Sequence, residues 1–486
     1  MADIEEAFLN RDRKDKTAFK APPFIPRRVL KDLGTEKLKG DRYFSREFMQ
    51  QEWEKVWKKT WHFVMKASEL DQAGAFYTHE LGKESFLFVR GSDDEIRGFY
   101  NVCRHRGNRL CQVEEGVVDT FTCPYHGWKW NDDGSLKQVA DPHFFKQFDE
   151  GIPEDELGLV PIKVDVWEGW LWFNMDSESC PLREYLGPIG EHLETYHFED
   201  CTVLEYQTFE WNANWKHAWD AFNESYHFAE LHPNMVNIGE GHDVPIELCG
   251  IHSRMLNFNR TVSEVLEDRS SWTELRRRFM LSEAALGPSP DPDAAQKSAI
   301  ESDGKPIDAK DMHLYEMDHR RSIEGESHLP FAEMNDEQLV HQYHYSFFPG
   351  VTFTQSADGG AIFRYRPHPS DPGRCFYDLL IFANLPPGME APERPEHQLH
   401  RYDDGIDYVK VLENSFDPAY SKVVGEDASN MPTLQAGCQS DSFQGGILGD
   451  QEVRLRHFHQ IIDGFIDGSI STCNLPSQDA YMEPES

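Results

Sequence analysis

The chain has 486 residues, 39% apolar and 13% aromatic, which is enough for sizeable cores and more than a single typical domain; a disordered chain is excluded and two domains are expected. Against 48 basic residues stand 85 acidic ones, a net charge of −37. Such a surface repels nucleic acid and anionic lipid, so neither is expected as a partner.

The opening stretch MADIEEAFLNRDRKDKTAFK is densely charged and lacks an apolar core segment, so no export signal is expected. The longest apolar runs, such as Phe86–Val89 and Trp170–Phe173, are strand-sized and too short to span a bilayer. A soluble, cytoplasmic protein is therefore expected, with no membrane partner. Its nine cysteines, odd in number and irregularly spaced, suggest ligands and buried thiols rather than a disulfide frame. Residues 1–45 read as an arm, with charged stretches around the turn-rich APPFIPRR run. A helix is predicted from Ser45 to Lys59, where Phe48, Trp53, Val56 and Trp57 recur at helical spacing and are read as core. From Trp61 to Asp176 short β-like segments alternate with Gly, Asp and Asn, the pattern of a small all-β domain.

Beyond Pro181 the pattern is mixed. A helix is predicted over Trp215–Leu231, with strands near 202–211, 249–260, 341–355, 360–367 and 374–383, and helical stretches at 403–415 and 451–466. Residues 264–340 read as a charged insertion with helical patches (SWTELRRRFMLSEAAL) around a Pro/Asp/Ala-rich surface loop (GPSPDPDAAQ).

Two constellations carry chemistry. Cys103-Arg-His105 is followed, after seventeen residues, by Cys123-Pro-Tyr-His126. Two thiolates and two imidazoles suit a [2Fe–2S] cluster in which the thiolates hold one iron and the histidines the other. Gly107 and Gly127, just beyond the histidines, are expected to let the backbone turn tightly and donate hydrogen bonds to the cluster sulfurs. A structural zinc site also accepts two Cys and two His, but usually pairs like with like across each short spacer.

HRGNRLC and CPYHGWKWNDDGSL resemble the cluster-binding loops of Rieske proteins, and specifically those of Rieske non-haem iron ring-hydroxylating oxygenases, catalytic (alpha) subunit. Respiratory Rieske proteins carry an extra cysteine in each loop. Asn108 and Tyr125 stand at those positions here, and Cys111 is read as a buried thiol out of register.

The second constellation is ANWKHAWDAFNESYHFAELHP, residues 213–233, which resembles the iron-binding helix of the same family. His227 and His232 would be the imidazole ligands. Residues five apart diverge on a regular helix, but His232 precedes Pro233, which pushes it out of helical geometry and lets it turn back. Two histidines and a carboxylate leave one face of Fe(II) open. For the carboxylate the resemblance points to Asp427, with Gln435 eight residues later; Glu426 and Asp417 are the alternatives. Glu224, one helical turn before His227, stands where the family bridges an iron ligand to a cluster histidine of a neighbouring subunit. Members often have Asn where Ala221 follows Asp220, so the substrate of a relative does not transfer directly, and Phe222 reads equally as a wall of the substrate site or as core.

The resemblance implies an α+β chain: the arm 1–45, an all-β Rieske domain over 46–180, and a helix-grip catalytic domain over 181–486, its antiparallel sheet curved around a long helix. It implies one [2Fe–2S] cluster and one Fe(II) per chain, with O2 and NAD(P)H-derived electrons as co-substrates. The implied activity is mono- or cis-dihydroxylation of a hydrophobic, aromatic small molecule. The implied partners are an NAD(P)H-dependent reductase, with or without a ferredoxin, in a homotrimer with or without a small beta subunit. The competing readings are a redox sensor or hydrophobe-binding protein that kept the cluster without the iron, and a zinc-held scaffold.

Overall fold

The computed structural model describes residues 20–24, 28–148, 151–232, 244–257, 314, 317–318, 320–385, 387–389, 395–402, 406–412 and 418–483. The predicted helical patch at 271–286, the loop at 287–296 and Asp417 lie outside them. No helix among the described residues is long and apolar enough to cross a membrane. Gln50–Tyr185 with Pro367–Asp371 form one compact unit, and the other described residues form a second.

The helix predicted over 45–59 is α1 (Arg46–Glu52), continued by one π-wound turn at Trp53–Trp57. Trp53, Val56 and Trp57 are buried, as their spacing predicts. The strands of the first unit are β1 (His62–Lys66), β2 (Ala75–Leu81), β3 (Glu84–Arg90), β4 (Ile96–Tyr100), β5 (Glu115–Val117), β6 (Phe121–Thr122), β7 (Lys129–Trp130), β8 (Leu136–Gln138), β9 (Pro161–Trp167) and β10 (Trp170–Asn174). They make a seven-stranded sheet in the order β1-β10-β9-β4-β3-β2-β5 and a three-stranded sheet β6-β7-β8. The aromatic runs that read as strands are buried on both faces: Phe63 packs on Trp170 and Trp172, and Phe86 on Phe173. Antiparallel pairing of neighbours in sequence, joined by tight turns, is what short alternating segments produce.

The second unit holds most of α2 (Leu182–Leu193) and the strands β11 (Thr202–Trp211), β12 (Ile246–Cys249), β13 (His252–Asn257), β14 (Gln342–Phe347), β15 (Val351–Ser356), β16 (Gly359–Pro367), β17 (Cys375–Ala383) and β18 (Gln398–His400). They form an eight-stranded sheet, β12-β13-β14-β15-β16-β17-β11-β18, with only β11–β18 parallel among the pairings described. The single strand expected over 341–355 is two, because Phe348-Pro349-Gly350 reverses the chain and β14 pairs back on β15 from Phe347↔Val351. Helices α3 (Trp215–Phe222), α4 (Phe228–Leu231), α5 (Tyr408–Val411), α6 (Pro418–Cys438) and α7 (Val453–Asp467) complete the unit. Partners across an antiparallel ladder share a face, so the registers Ser253↔Ser346↔Thr352↔Phe363 and Met255↔His344↔Thr354 define one face of the sheet. Phe222 of α3 and Arg454 of α7 reach that face, touching Phe363 and Ser253 respectively.

Two expectations change. The described part of the arm is built into the second unit: the Phe24 N–H donates to Glu337 Oε2 at 2.7 Å, and Tyr43 is buried. The last part of the 264–340 stretch is core, with Phe331, Met334 and Leu339 fully buried, since its apolar residues sit between charges that pair locally, such as Arg321–Asp336 at 2.9 Å.

Candidate metal centres

In the first unit two loops of the same design face each other. Each closes with one backbone bond from glycine to cysteine, Gly107 N–H to Cys103 O and Gly127 N–H to Cys123 O, both 3.0 Å. A second bond returns the chain, Asn108 O to Cys103 N–H and Trp128 O to Cys123 N–H, both 2.8 Å. Gly107 and Gly127 have φ of 74° and 72°, a left-handed conformation that disfavours any side chain. Their N–H groups are therefore spent on cysteine carbonyls rather than on sulfur, contrary to the expectation above. Burial and the neighbouring Cys123 thiol push the Cys103 thiol up, and the backbone N–H groups of His105 and Arg106 offset this only in part.

Cys103 and Cys123 are both 2% exposed, embedded among Leu110, Phe121, Trp128 and Trp130. The His105 and His126 rings lie 4.7 Å apart, and His105 stacks on Trp128 at 4.9 Å. Burial lowers the His105 pKa, assisted by His126 and Arg106, so the ring is neutral and available as a ligand. The Nδ1 atoms of both histidines are buried without a hydrogen-bond partner. Two orphaned imidazole nitrogens opposite two buried thiols fit a [2Fe–2S] cluster. A single zinc would need the four donors drawn together; among the described residues such a compact group of three or more, with all donor atoms within 4.8 Å, occurs at His227, His232 and Asp427 and not in these loops. Cys111 is half-buried, and burial pushes its thiol up to about 12.

The second centre depends on a helix that stops. α3 begins at Asn214, whose side chain accepts from the Lys216 N–H at 3.0 Å, and ends at Asn223, whose Nδ2 donates to Trp219 O at 2.7 Å. The helix expected to run through to Leu231 is thus broken by a turn over 223–227. Glu224 builds that turn: its Oε2 accepts from the N–H groups of Tyr226 and His227, and its Oε1 meets His227 Nδ1. It is therefore not on a shared helix face with His227, and the contact comes from the turn. The single turn α4 then carries the chain to His232, which leaves helical geometry at φ −117°, ψ 57° before Pro233.

His227 Nε2 and His232 Nε2 both face Asp427 Oδ1, each at 3.5 Å. His232 and Asp427 are 1% exposed, and His232 Nε2 and Asp427 Oδ1 have no hydrogen-bond partner. Three ligand-type atoms converge, two of them buried and unpaired, which fits a 2-His-1-carboxylate site for Fe(II). Each histidine is held from behind by a carboxylate at Nδ1, His227 by Glu224 and His232 by Glu426 Oε2 at 2.7 Å. With Nδ1–H donated to carboxylate, the Nε2 lone pairs point at the centre. Burial pulls both rings down, and the surrounding carboxylates more than offset it, so both pKa values are raised.

Asp427 arrives on α6, a helix the sequence reading did not anticipate. Gln435, two turns further on, takes the Asn214 N–H on Oε1 at 2.7 Å and donates Nε2 to Tyr43 O at 3.2 Å. The eight-residue spacing thus pins α6 to the start of α3 and aligns Asp427 with the histidine turn. Asp220 accepts from Tyr43 at 2.6 Å and faces His459 at 3.1 Å, locking α3, α7 and the N-terminal segment together. Neither Glu426 as the partner of His232 nor this lock had a local signal. Phe222 packs on Phe363 at 4.9 Å and Tyr377 at 5.3 Å, and Tyr377 stacks on Trp211 at 4.2 Å, an aromatic wall beside the histidine turn.

The family description "Ring hydroxylating alpha subunit (catalytic domain)" matches residues 198–468, and "Rieske [2Fe-2S] domain" matches residues 60–149. The chain is 34% identical over 193 residues to the carnitine monooxygenase oxygenase subunit of Escherichia coli K12, covering 39% of this chain and 50% of the relative. It is 30% identical over 205 residues to the biphenyl 2,3-dioxygenase subunit alpha of Rhodococcus jostii RHA1, covering 41% and 44%. The matched region thus spans about half the length of these curated relatives. Among solved structures, a quaternary ammonium Rieske monooxygenase in complex with L-carnitine superposes with a TM-score of 0.60 at 18% identity, over 93% of this chain and 99% of that one. The naphthalene 1,2-dioxygenase of a Rhodococcus species bound to indole does so with a TM-score of 0.59 at 16% identity, over 89% and 95%. These superpositions show the shared fold.

Proposed function

Because the chain belongs to the ring-hydroxylating alpha-subunit family and carries a Rieske [2Fe–2S] domain before its catalytic domain, we propose that it is the oxygenase component of a Rieske non-haem iron system. The observation that carries this is the convergence of His227, His232 and Asp427 within 4.8 Å, in a chain that also pairs Cys103/Cys123 with His105/His126. The histidine pair and Asp427 would hold Fe(II), and the Cys/His loops the cluster. When bound, the cluster supplies single electrons and the iron activates O2.

What this chain's residues contribute is orientation and exclusion of water. Glu224 and Glu426 hold the Nδ1 protons of His227 and His232, fixing tautomer and ring angle. The half-buried ring of Phe222 and the buried rings of Phe363, Tyr377 and Trp211, packed on one another beside the histidine turn, would suit an aromatic ring by stacking or a quaternary ammonium group by cation–π attraction. Electrons would come from an NAD(P)H-dependent reductase, in a homotrimer in which Glu224 also meets a cluster histidine of the next subunit.

The purified protein is expected to be red-brown, to give a Rieske electron paramagnetic resonance signal on reduction, and to hold about three irons per chain, two in the cluster and one at the triad. About two irons per chain would favour the redox-sensor reading, and a colourless zinc protein would end both. Product analysis under isotopically labelled oxygen separates mono- from dioxygenation.

Glu224→Gln keeps the size of the side chain and removes the charge behind His227. Partners of this kind typically control about 10–100-fold of metal affinity, so the variant is expected to bind Fe(II) at least about tenfold more weakly with its cluster spectrum intact. Equilibrium dialysis against iron checks this; unaltered affinity would make Glu224 a turn-former only.

A further inference from the structure

One face of the large sheet holds a cation that nothing described in the chain neutralises. Arg454, on the first turn of α7, is 0% exposed. Its Nε donates to Ser253 Oγ at 3.0 Å and its Nη1 to His344 Nδ1 at 3.3 Å, while Nη2 is buried without a partner. No carboxylate among the described residues forms an ion pair with it. Arg42, Arg254, Arg364 and Arg366, also buried, each face one: Asp463, Glu247, and Asp378 for the last two. Burial pulls the Arg454 guanidinium down to about 9, opposed by Tyr365 and Cys249, so it remains cationic at neutral pH. A buried charge without a counter-ion is costly and persists in a fold when something external satisfies it.

Its neighbours are donors as well. Because His344 Nδ1 accepts from Arg454, the ring proton of the neutral imidazole sits on Nε2. Burial, followed by Arg454, holds that ring neutral. His344 Nε2 is buried with no acceptor, and so is the Oγ1 of Thr354, its cross-strand partner. Three buried donors, one of them charged, thus lack an acceptor among the described residues on one face of the sheet. The start of α7 is tied to the histidine turn: Gln451, three residues before Arg454, accepts from Ser225 Oγ at 3.2 Å, within the turn that presents His227. The donor group adjoins the aromatic wall through Tyr365, whose ring lies 6.4 Å from Phe222.

We propose that Arg454, with His344 and Thr354, binds a carboxylate of the substrate, so that the substrate is an organic acid whose other end meets the aromatic wall. That other end is an aryl group or a quaternary ammonium group. The inference rests on the functional reading above, since it places the acid beside the proposed iron site. A guanidinium and two neutral donors form the charge-assisted set that a carboxylate's two oxygens accept.

The test is calorimetric binding to the fully metallated protein under anaerobic conditions, each acid against its amide: benzoate and benzamide, 3-phenylpropionate and its amide, glycine betaine and betaine amide. At least one acid is expected to bind about 10–100-fold more tightly than its amide, the worth of one charge-assisted contact. Which pair separates distinguishes the aryl from the ammonium source. Arg454→Met should erase the preference, and Arg454→Lys should keep part of it. If no pair separates in the unaltered protein, which needs no variant to fold, or if the preference survives Arg454→Met, the inference is overturned and the donors are satisfied by water alone. Iron analysis separates the two levels: about three irons without an acid preference overturns only this inference, and about two irons overturns the functional reading itself.

Discussion

Asp427→Ala is expected to strip the mononuclear iron and reduce oxygenation at least about a hundredfold, while the cluster's visible and paramagnetic spectra stay as they are. The carboxylate is almost fully buried, and its Oδ1 lies 3.5 Å from the Nε2 atoms of both His227 and His232. Removing it leaves two neutral imidazoles, too few to hold Fe(II) against water. The proposed cluster ligands belong to the other compact unit, which does not include α6, so losing one centre should leave the other in place. His227→Ala should behave the same way. Glu426→Ala should retain more iron than either, since Glu426 touches His232 at Nδ1 and not at Nε2. Iron content per chain, with oxygen uptake in the presence of a reductase, checks all three. Full activity in Asp427→Ala would return the choice of carboxylate to its neighbours.

The largest effect on stability is expected at Asp378. Its carboxylate is completely buried in β17, accepts from Arg366 Nε and Nη2 at 2.7 Å each, and pairs with Arg364 and the Thr208 hydroxyl. Asp378→Asn leaves two buried guanidinium groups without their counter-charge, a defect that typically costs about 3–5 kcal/mol. Chemical denaturation at neutral pH should show it; a loss below about 1 kcal/mol would mean that water or another group replaces the charge. Burial raises the Asp378 pKa, but Arg364 and Arg366 outweigh it and hold the group far below the usual carboxylate range. A depressed carboxylate stabilises the fold fully above its unfolded pKa near 4 and loses that contribution only as the pH falls towards the native value. Mild acid at about pH 5 should therefore leave this site intact, and the variant should lose its pH-dependent component below about pH 4.

Much of this protein was legible because its chemistry is encoded locally. The Cys-x-His and Cys-x-x-His loops depend on five-residue turns, each ending in a left-handed glycine, which the chain specifies within a few residues. The same holds for the stop at His232, which the following proline imposes, and for strands whose aromatic runs are buried on both faces. Local patterns mislead where a distant partner outvotes them. α6 has no clean apolar stripe and contains Gly425 and Pro432, poor helix residues, yet it forms because tertiary contacts hold it. Gly425 lies so close to α5 that a side chain there would come within 2.8 Å of the Val409 Cα. The helical register drawn through Glu224 was lost to a turn that this residue itself nucleates through its side chain.

The sequence by itself thus determined the two Cys/His loops, the stop at His232 and the succession of a β domain and a mixed domain, because turn chemistry and periodicity act over a few residues. Which of the adjacent acids Glu426 and Asp427 faces the histidine Nε2 atoms, and which only steadies a ring, was decided by the phase of α6 as Gln435 pins it to Asn214, more than two hundred residues away in the chain. The isolation of Arg454 is of the same kind. An arginine in a charged stretch looks like surface, and only the closing of α7 over β13 and β14 removes it from water, with no carboxylate partner among the described residues.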